Sequence, residues 1–141
     1  MKSMRLYLLS ILVCLAQIAY SAPVDMPASI DGANTVDAEG VIKLIQNDDT
    51  LILVDARITR DRSHGYIEGA KSLADIDTTC DSLWKIIPTK STPALFYCNG
   101  VKCGRSVISI RVALQCGYEK LYWFRGGYDE WIKKGYPYIK E

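Results

Sequence analysis

The sequence predicts one α/β domain built on a parallel sheet. Two runs, Leu51-Ile52-Leu53-Val54 and Ala94-Leu95-Phe96-Tyr97, are apolar at every position, as strands buried on both faces require. Amphipathic stretches at helical spacing separate them, and strand–helix alternation in a compact chain implies right-handed crossovers between parallel strands. The polar chemistry then follows the strands: Asp55-Ala56-Arg57 succeeds the first run and Cys98 the second. In a parallel sheet the ligand site lies beyond the carboxyl ends of the strands, so these two segments are expected to converge.

The chain opens with a targeting pattern. Lys2 and Arg5 form a basic region, Leu6 to Ala19 an apolar core, and Ala19-Tyr20-Ser21 a small-x-small cleavage site, so residues 1–21 read as a signal peptide. The core is short of the ~20 residues a spanning helix needs, and Pro23 follows at once. No stable membrane insertion is therefore expected once the leader is removed, and the destination is the periplasm or, failing that, secretion. Bulky Val13 before Cys14 argues against lipidation. Loss of Lys2 and Arg5 reduces the 17 basic residues to 15 against 16 acidic ones, which leaves no basic face for nucleic acid. About 120 residues remain, enough for one modest domain, with Cys80, Cys98, Cys103 and Cys116 in a compartment where disulfides persist.

Residues 22–35, with two prolines and small polar residues, read as an extended lead-in, and 36–141 as the domain. Asp37 to Gln46 is the first helix, with Val41, Leu44 and Ile45 at helical spacing and Asp37 and Glu39 in its first turn. Asn47 to Thr50 breaks it before the Leu51–Val54 strand. Ile58 to Gly65 is charged and loop-like, and Lys71-Ser72-Leu73 is a short apolar piece. Cys80, Leu83, Trp84 and Ile87 recur at i, i+3, i+4 and i+7 behind a Thr78 or Thr79 cap, which predicts a helix with Cys80 as a buried core thiol. Val107 to Cys116 is a helix ended by Gly117, Leu121 to Phe124 a strand, and Gly126-Gly127 a sharp turn into Tyr128–Lys134. Trp84, Trp123 and Trp131 are read as core.

The stretch Cys98-Asn99-Gly100-Val101-Lys102-Cys103-Gly104-Arg105-Ser106 is the candidate site. A strand ending at Cys98 and a helix beginning near Gly104 place a thiol at a helix N-terminus. Unpaired amides and the positive end of the dipole favour an anion there and so lower the thiol's pKa. The backbone from Asn99 to Gly104 is expected to cradle whatever the sulfur carries. Lys102 and Arg105 either add positive charge at the loop or are solvated surface charges. Cys103 is either a second working thiol, paired with Cys98 or resolving it, or a small side chain filling the loop. Cys116 is a poor partner for Cys103, because the helix between them spans on the order of 18 Å. His64, the only histidine, is not required, since a helix-end thiolate needs no imidazole base.

Four segments in order, Leu53-Val54-Asp55-Ala56-Arg57, Gly65-Tyr66-Ile67-Glu68-Gly69-Ala70, Tyr97-Cys98-Asn99-Gly100, and Phe124-Arg125-Gly126-Gly127 with Trp131 and Tyr136-Pro137, resemble a single-domain rhodanese-like (thiosulfate sulfurtransferase-type) protein from about Asp37 to Ile139. The resemblance implies a rhodanese-like α/β fold, a sheet of about five parallel strands with helices on both faces. It also implies that Cys98 carries a sulfane sulfur as a persulfide, moving it from a small sulfur-containing anion such as thiosulfate to cyanide or a thiol, with no cofactor and no metal. Asn99, Gly100, Val101, Lys102, Cys103, Gly104, Arg105 and Arg57 would bind the donor, and Asp55 would support the site by tying Arg57 to the loop. Tyr66 and Glu68 stand where the family commonly has His and Pro. Asp61 stands where two-domain members place a second donor-binding arginine, which leaves donor preference open. Two other classes compete: a secreted redox or binding module locked by a Cys98–Cys103 disulfide, and phosphatase or arsenate-reductase chemistry on the same fold. The second wants an arginine after five intervening residues, and here six separate Cys98 from Arg105.

Overall fold

A computed structural model describes residues 26–140. The leader expected at 1–21 and the first residues of the lead-in lie outside the described residues.

The strands are β1 (Ala33–Val36), β2 (Ile52–Asp55), β3 (Lys71–Ser72), β4 (Ala94–Tyr97) and β5 (Leu121–Phe124). They form one five-stranded sheet in the order β1-β5-β4-β2-β3, and every pairing is parallel. The helices are α1 (Ala38–Asn47), α2 (Thr59–Arg62), α3 (Cys80–Ile86), α4 (Arg105–Gln115) and α5 (Gly127–Lys133). Side chains of β4 alternate between two cores, as the pleat demands. Ala94 and Phe96 pack with Leu83, Ile110 and Ala113 of α3 and α4, whereas Leu95 and Tyr97 pack with Val41 of α1 and Tyr128 and Trp131 of α5. Helices therefore cover both faces, and β4, the central strand, is buried throughout. The end of the lead-in is β1 itself, an extended edge strand. The charged stretch after Arg57 contains the single turn α2.

Local signals set the helix ends. The Asp37 carboxylate accepts from the Gly40 N–H at 2.8 Å and caps α1. Thr79 and Ser82 form a reciprocal capping box on α3. Gly117, at φ +85°, ends the α4 segment in a conformation that disfavours L side chains.

Two expectations for α3 are corrected. Cys80 is not a buried free thiol: it lies at the exposed start of α3 and is disulfide-bonded to Cys116, just past the end of α4, with Cα atoms 5.5 Å apart. Trp84 is not core either, at 58% exposure; Leu83 and Ile87, with the partly buried Ile86, fill that face, and Lys90 lies 5.7 Å from the indole. The helical spacing of Cys80 and Trp84 is real, but a helix of this length buries a stripe narrower than the pattern. Trp123 and Trp131 are buried as expected. The Cys80–Cys116 bond closes a loop of sequence separation 36. Replacing both cysteines by serine is expected to cost about 3–4 kcal/mol of unfolding free energy by the chain-entropy rule, read as a fall in the thermal midpoint on the order of 10 °C.

Candidate active site

Cys98 directly follows the last residue of β4 and is 2% exposed. The next residues turn back on themselves, with the Cys103 N–H donating to the Gly100 carbonyl at 2.9 Å, before α4 begins at Arg105. Among the described residues the amides of Gly100, Val101, Lys102 and Gly104 donate to no protein acceptor. Together with the first amides of α4 they form the donor-rich cradle that an anion on Cys98 needs. The loop lines a depression of about 760 Å³ with Ile108 and Asp129. Cys103 lines it and is disulfide-bonded to the buried Cys98, with Cα atoms 6.1 Å apart.

The loop is held from several sides. Trp123 Nε1 donates to Ser106 Oγ at 3.0 Å, fixing the start of α4 to β5. At the other end of the loop, the amides of Tyr128 and Asp129 in α5 donate to the carbonyls of Cys98 and Asn99 at 2.9 and 2.7 Å. That approach depends on Gly127, whose φ is +60° and whose added Cβ would collide with the Cys98 carbonyl and come within 2.9 Å of Asn99. Gly127→Ala is expected to cost about 2–3 kcal/mol in denaturant unfolding and to slow turnover, because the backbone penalty adds to displacement of the loop. The N-terminal segment also reaches the site. The Pro27 carbonyl accepts from Arg125 Nε at 2.9 Å, and the Met26 side chain packs close to Gly104, 3.2 Å from where a Cβ would be.

Asp55 is fully buried at the end of β2. It accepts from Arg57 Nε and NH2 at 2.9 and 2.7 Å, from the Arg57 amide at 3.0 Å, from the Tyr97 hydroxyl at 3.0 Å and from Arg62 NH1 at 3.2 Å. Arg57 is itself 1% exposed, donates to the Gly65 carbonyl at 2.7 Å and stacks 4.3 Å from the Tyr128 ring. Burial, the largest single influence, lowers the guanidinium's pKa, but the hydrogen bonds to Asp55 and the Asp55 charge together outweigh it and hold the group above its ordinary value. Tyr97 is driven well above the usual tyrosine range by burial and then by the Asp55 charge. Arg57, expected among the donor-binding residues, thus lies outside the depression lined by the Asn99–Arg105 loop. It faces a smaller neighbouring one of about 260 Å³, shared with Asp61, His64, Asn99 and Tyr128. His64 is exposed there, with Nδ1 2.9 Å from the Arg60 carbonyl.

The expected loop residues Asn99, Gly100, Val101, Lys102, Cys103, Gly104 and Arg105 all line the larger depression. Two carboxylates bind its polar side chains from outside it. Asp61 accepts from Asn99 Nδ2 and Arg105 NH1, both at 3.0 Å, and Asp75 lies 3.5 Å from Arg105 Nε. The Asn99 bond, opposed by burial and aided by the charges of Arg105 and Arg60, holds the Asp61 carboxyl below its usual range. The Arg105 charge is therefore already paired, and Lys102, exposed at the rim, makes no ion pair among the described residues. Sequence reasoning missed Asp75, Tyr128 and Asp129 as neighbours of the loop. The one signal for the last two is the Gly126-Gly127 pair, which lets a helix start against another backbone. Among the described residues no cluster of side chains is suited to a metal ion, and no helix is long and apolar enough to cross a membrane.

A five-stranded parallel sheet that presents one buried cysteine at the end of its central strand defines a thiol-centred α/β domain. The chain belongs to the rhodanese-like domain family, whose profile matches residues 37–134. No curated protein matches the sequence. Solved structures share the fold. The BH2092 protein from Bacillus halodurans superposes with a TM-score of 0.67 at 20% identity, over 77% of this chain and 77% of that chain. A thiosulfate sulfurtransferase from Pseudomonas aeruginosa gives 0.66 at 21% identity, over 77% of this chain and 20% of that much longer one. The 30 kDa polysulfide-sulfur transferase homodimer from Wolinella succinogenes gives 0.64 at 18% identity, over 78% and 80%.

Proposed function

We propose that the protein is a sulfurtransferase that works through a Cys98 persulfide. The observation that carries this reading is the position of Cys98, at the start of the amide-rich loop that leads from the central strand into α4 in a rhodanese-like domain. With the loop disulfide reduced, the Cys98 thiolate attacks the outer sulfur of thiosulfate, the donor's S–S bond breaks and sulfite leaves with its electron pair. Cyanide or a thiol then takes the outer sulfur from Cys98 and regenerates the thiolate. The loop amides hold the persulfide anion, and Lys102, on the same loop, supplies positive charge for the donor. No cofactor enters the scheme. The two disulfides, in a chain that opens with a leader pattern, support an oxidising destination, periplasmic or secreted.

The Cys98–Cys103 bond favours a second reading, a redox module in which the pair itself is the working group. Phosphatase-type chemistry is less well supported, because Arg105 is spaced one residue too far and already binds two carboxylates. The test is to offer the reduced protein thiosulfate with cyanide and, separately, a chromogenic phosphate ester. Sulfite and thiocyanate are expected from the first and no hydrolysis of the second. Turnover of the ester alone would overturn the assignment, and thiol–disulfide exchange without sulfur transfer would favour the redox module.

A further inference from the structure

We infer that Cys103 is the resolving thiol of the Cys98 persulfide, so that the protein reduces sulfane sulfur to sulfide with an external dithiol as reductant. The inference rests on the persulfide reading above and adds a second catalytic sulfur to it.

The fold brings the two cysteines to bonding distance without moving the backbone. Their Cα atoms are 6.1 Å apart, inside the range a disulfide bridges. The turn between them is closed by the Cys103 N–H to Gly100 carbonyl bond, and the Cys98 end is pinned by α5 through the Tyr128 amide. The pair closes a separation of only 5 residues, against 36 for Cys80–Cys116, so by the chain-entropy rule it adds about half as much to stability as the helix staple does. Its position at the nucleophile is what remains to be explained. The two sulfurs also differ in access. Cys98 is 2% exposed, whereas Cys103 is partly exposed and lines the depression.

That asymmetry orders the chemistry. The Cys103 thiolate attacks Sγ of Cys98, the persulfide S–S bond breaks, and hydrosulfide leaves with the electron pair. Cys98–S–SH and Cys103–SH become the Cys98–Cys103 disulfide and one hydrogen sulfide. A dithiol then attacks the accessible Cys103 sulfur, and the Cys98 thiolate departs as the leaving group, favoured by the amides at the start of α4. The dithiol's second thiol frees Cys103. Over the cycle, thiosulfate and a dithiol give sulfite, hydrogen sulfide and the oxidised dithiol. A tethered thiol acts at an effective concentration of millimolar order, so Cys103 outcompetes external monothiols below that range.

The experiment is a single turnover without reductant. Protein reduced at the loop and freed of reductant anaerobically is mixed with excess thiosulfate, and sulfite, trapped sulfide and intact mass are followed in the wild type, Cys103→Ser and Cys103→Ala. The wild type is expected to release one sulfite and one sulfide per chain and to end about 2 Da lighter than the reduced chain, with the new disulfide mapped to Cys98–Cys103. Both variants are expected to release sulfite, to hold a species about 32 Da heavier and to release at least tenfold less sulfide. A wild type that keeps the heavier species with Cys103 still free overturns the resolving role and leaves sulfur transfer intact. Absence of both sulfite and loading in every form overturns the persulfide reading and this inference with it. Because the wild-type result is decisive alone, misfolding of a variant does not blunt the test.

Discussion

Cys98→Ser is expected to reduce sulfite release from thiosulfate to the uncatalysed background and to abolish the mass increase of about 32 Da on the loop peptide. The reason is local. The nucleophile must be an anion near neutral pH, and the site stabilises one by geometry, with a sulfur at the end of β4, unpaired loop amides and the start of α4. Thiolates, not thiols, are the nucleophiles in such chemistry, whereas a serine hydroxyl remains protonated. Serine is also nearly isosteric, and Cys98 contributes little apolar volume to either core, so the variant should fold. Loss of activity with an unchanged far-UV spectrum would place the defect in the chemistry. A serine variant that still loaded sulfur would show that another thiol is the nucleophile, and Cys103 would be the next to replace.

Asp55→Ala should have the largest effect on stability, about 3–5 kcal/mol, the usual cost of removing one partner of a buried ion pair. Asp55 is fully buried and Arg57 nearly so. Without the carboxylate, Arg57 keeps its bond to the Gly65 carbonyl and its place on the Tyr128 ring but loses its counter-charge, and the Tyr97 hydroxyl loses its acceptor. The damage should reach the site, because Tyr97 is the residue before Cys98 and Tyr128 holds the Cys98 carbonyl. Urea unfolding should therefore show a lower midpoint with an unchanged slope, accompanied by a fall in sulfite release. A variant with wild-type stability would mean that the Asp55–Arg57 pair is not the tie between β2 and the loop.

The parts of the fold that were legible in the sequence are those whose signal is local. Ala94–Tyr97 and Leu121–Phe124 were readable to the residue, because strands buried on both faces must be apolar at nearly every position. A cap at Thr78 or Thr79 announced α3, and the acidic residues Asp37 and Glu39 marked the start of α1, although Asp37 proved to be its cap rather than part of its first turn. The edge strands were not readable from pattern. Ala33–Val36 leaves its middle residues Asn34 and Thr35 exposed, and Lys71–Ser72 is exposed throughout, so neither carries a hydrophobic period; the count of five strands came from family resemblance alone. Cys98 was legible because strand, thiol, glycines and helix are contiguous. The Cys80–Cys116 bond was hidden because it depends on how the start of α3 lies against the end of α4, a tertiary fact, and the helical spacing of Cys80 pointed to the core instead. The carboxylates that pair with Arg105 were hidden for the same reason, since Asp61 belongs to α2 and Asp75 to the connection between β3 and α3.

The most direct measurement is the quantity of sulfite released when the reduced protein meets thiosulfate, because sulfite marks attack by the thiolate whatever later becomes of the persulfide. A burst of one sulfite per chain in the wild type, absent in Cys98→Ser, is the predicted result. No burst from the reduced wild type, or an undiminished burst from Cys98→Ser, would contradict the assignment of Cys98 as the sulfur-carrying residue.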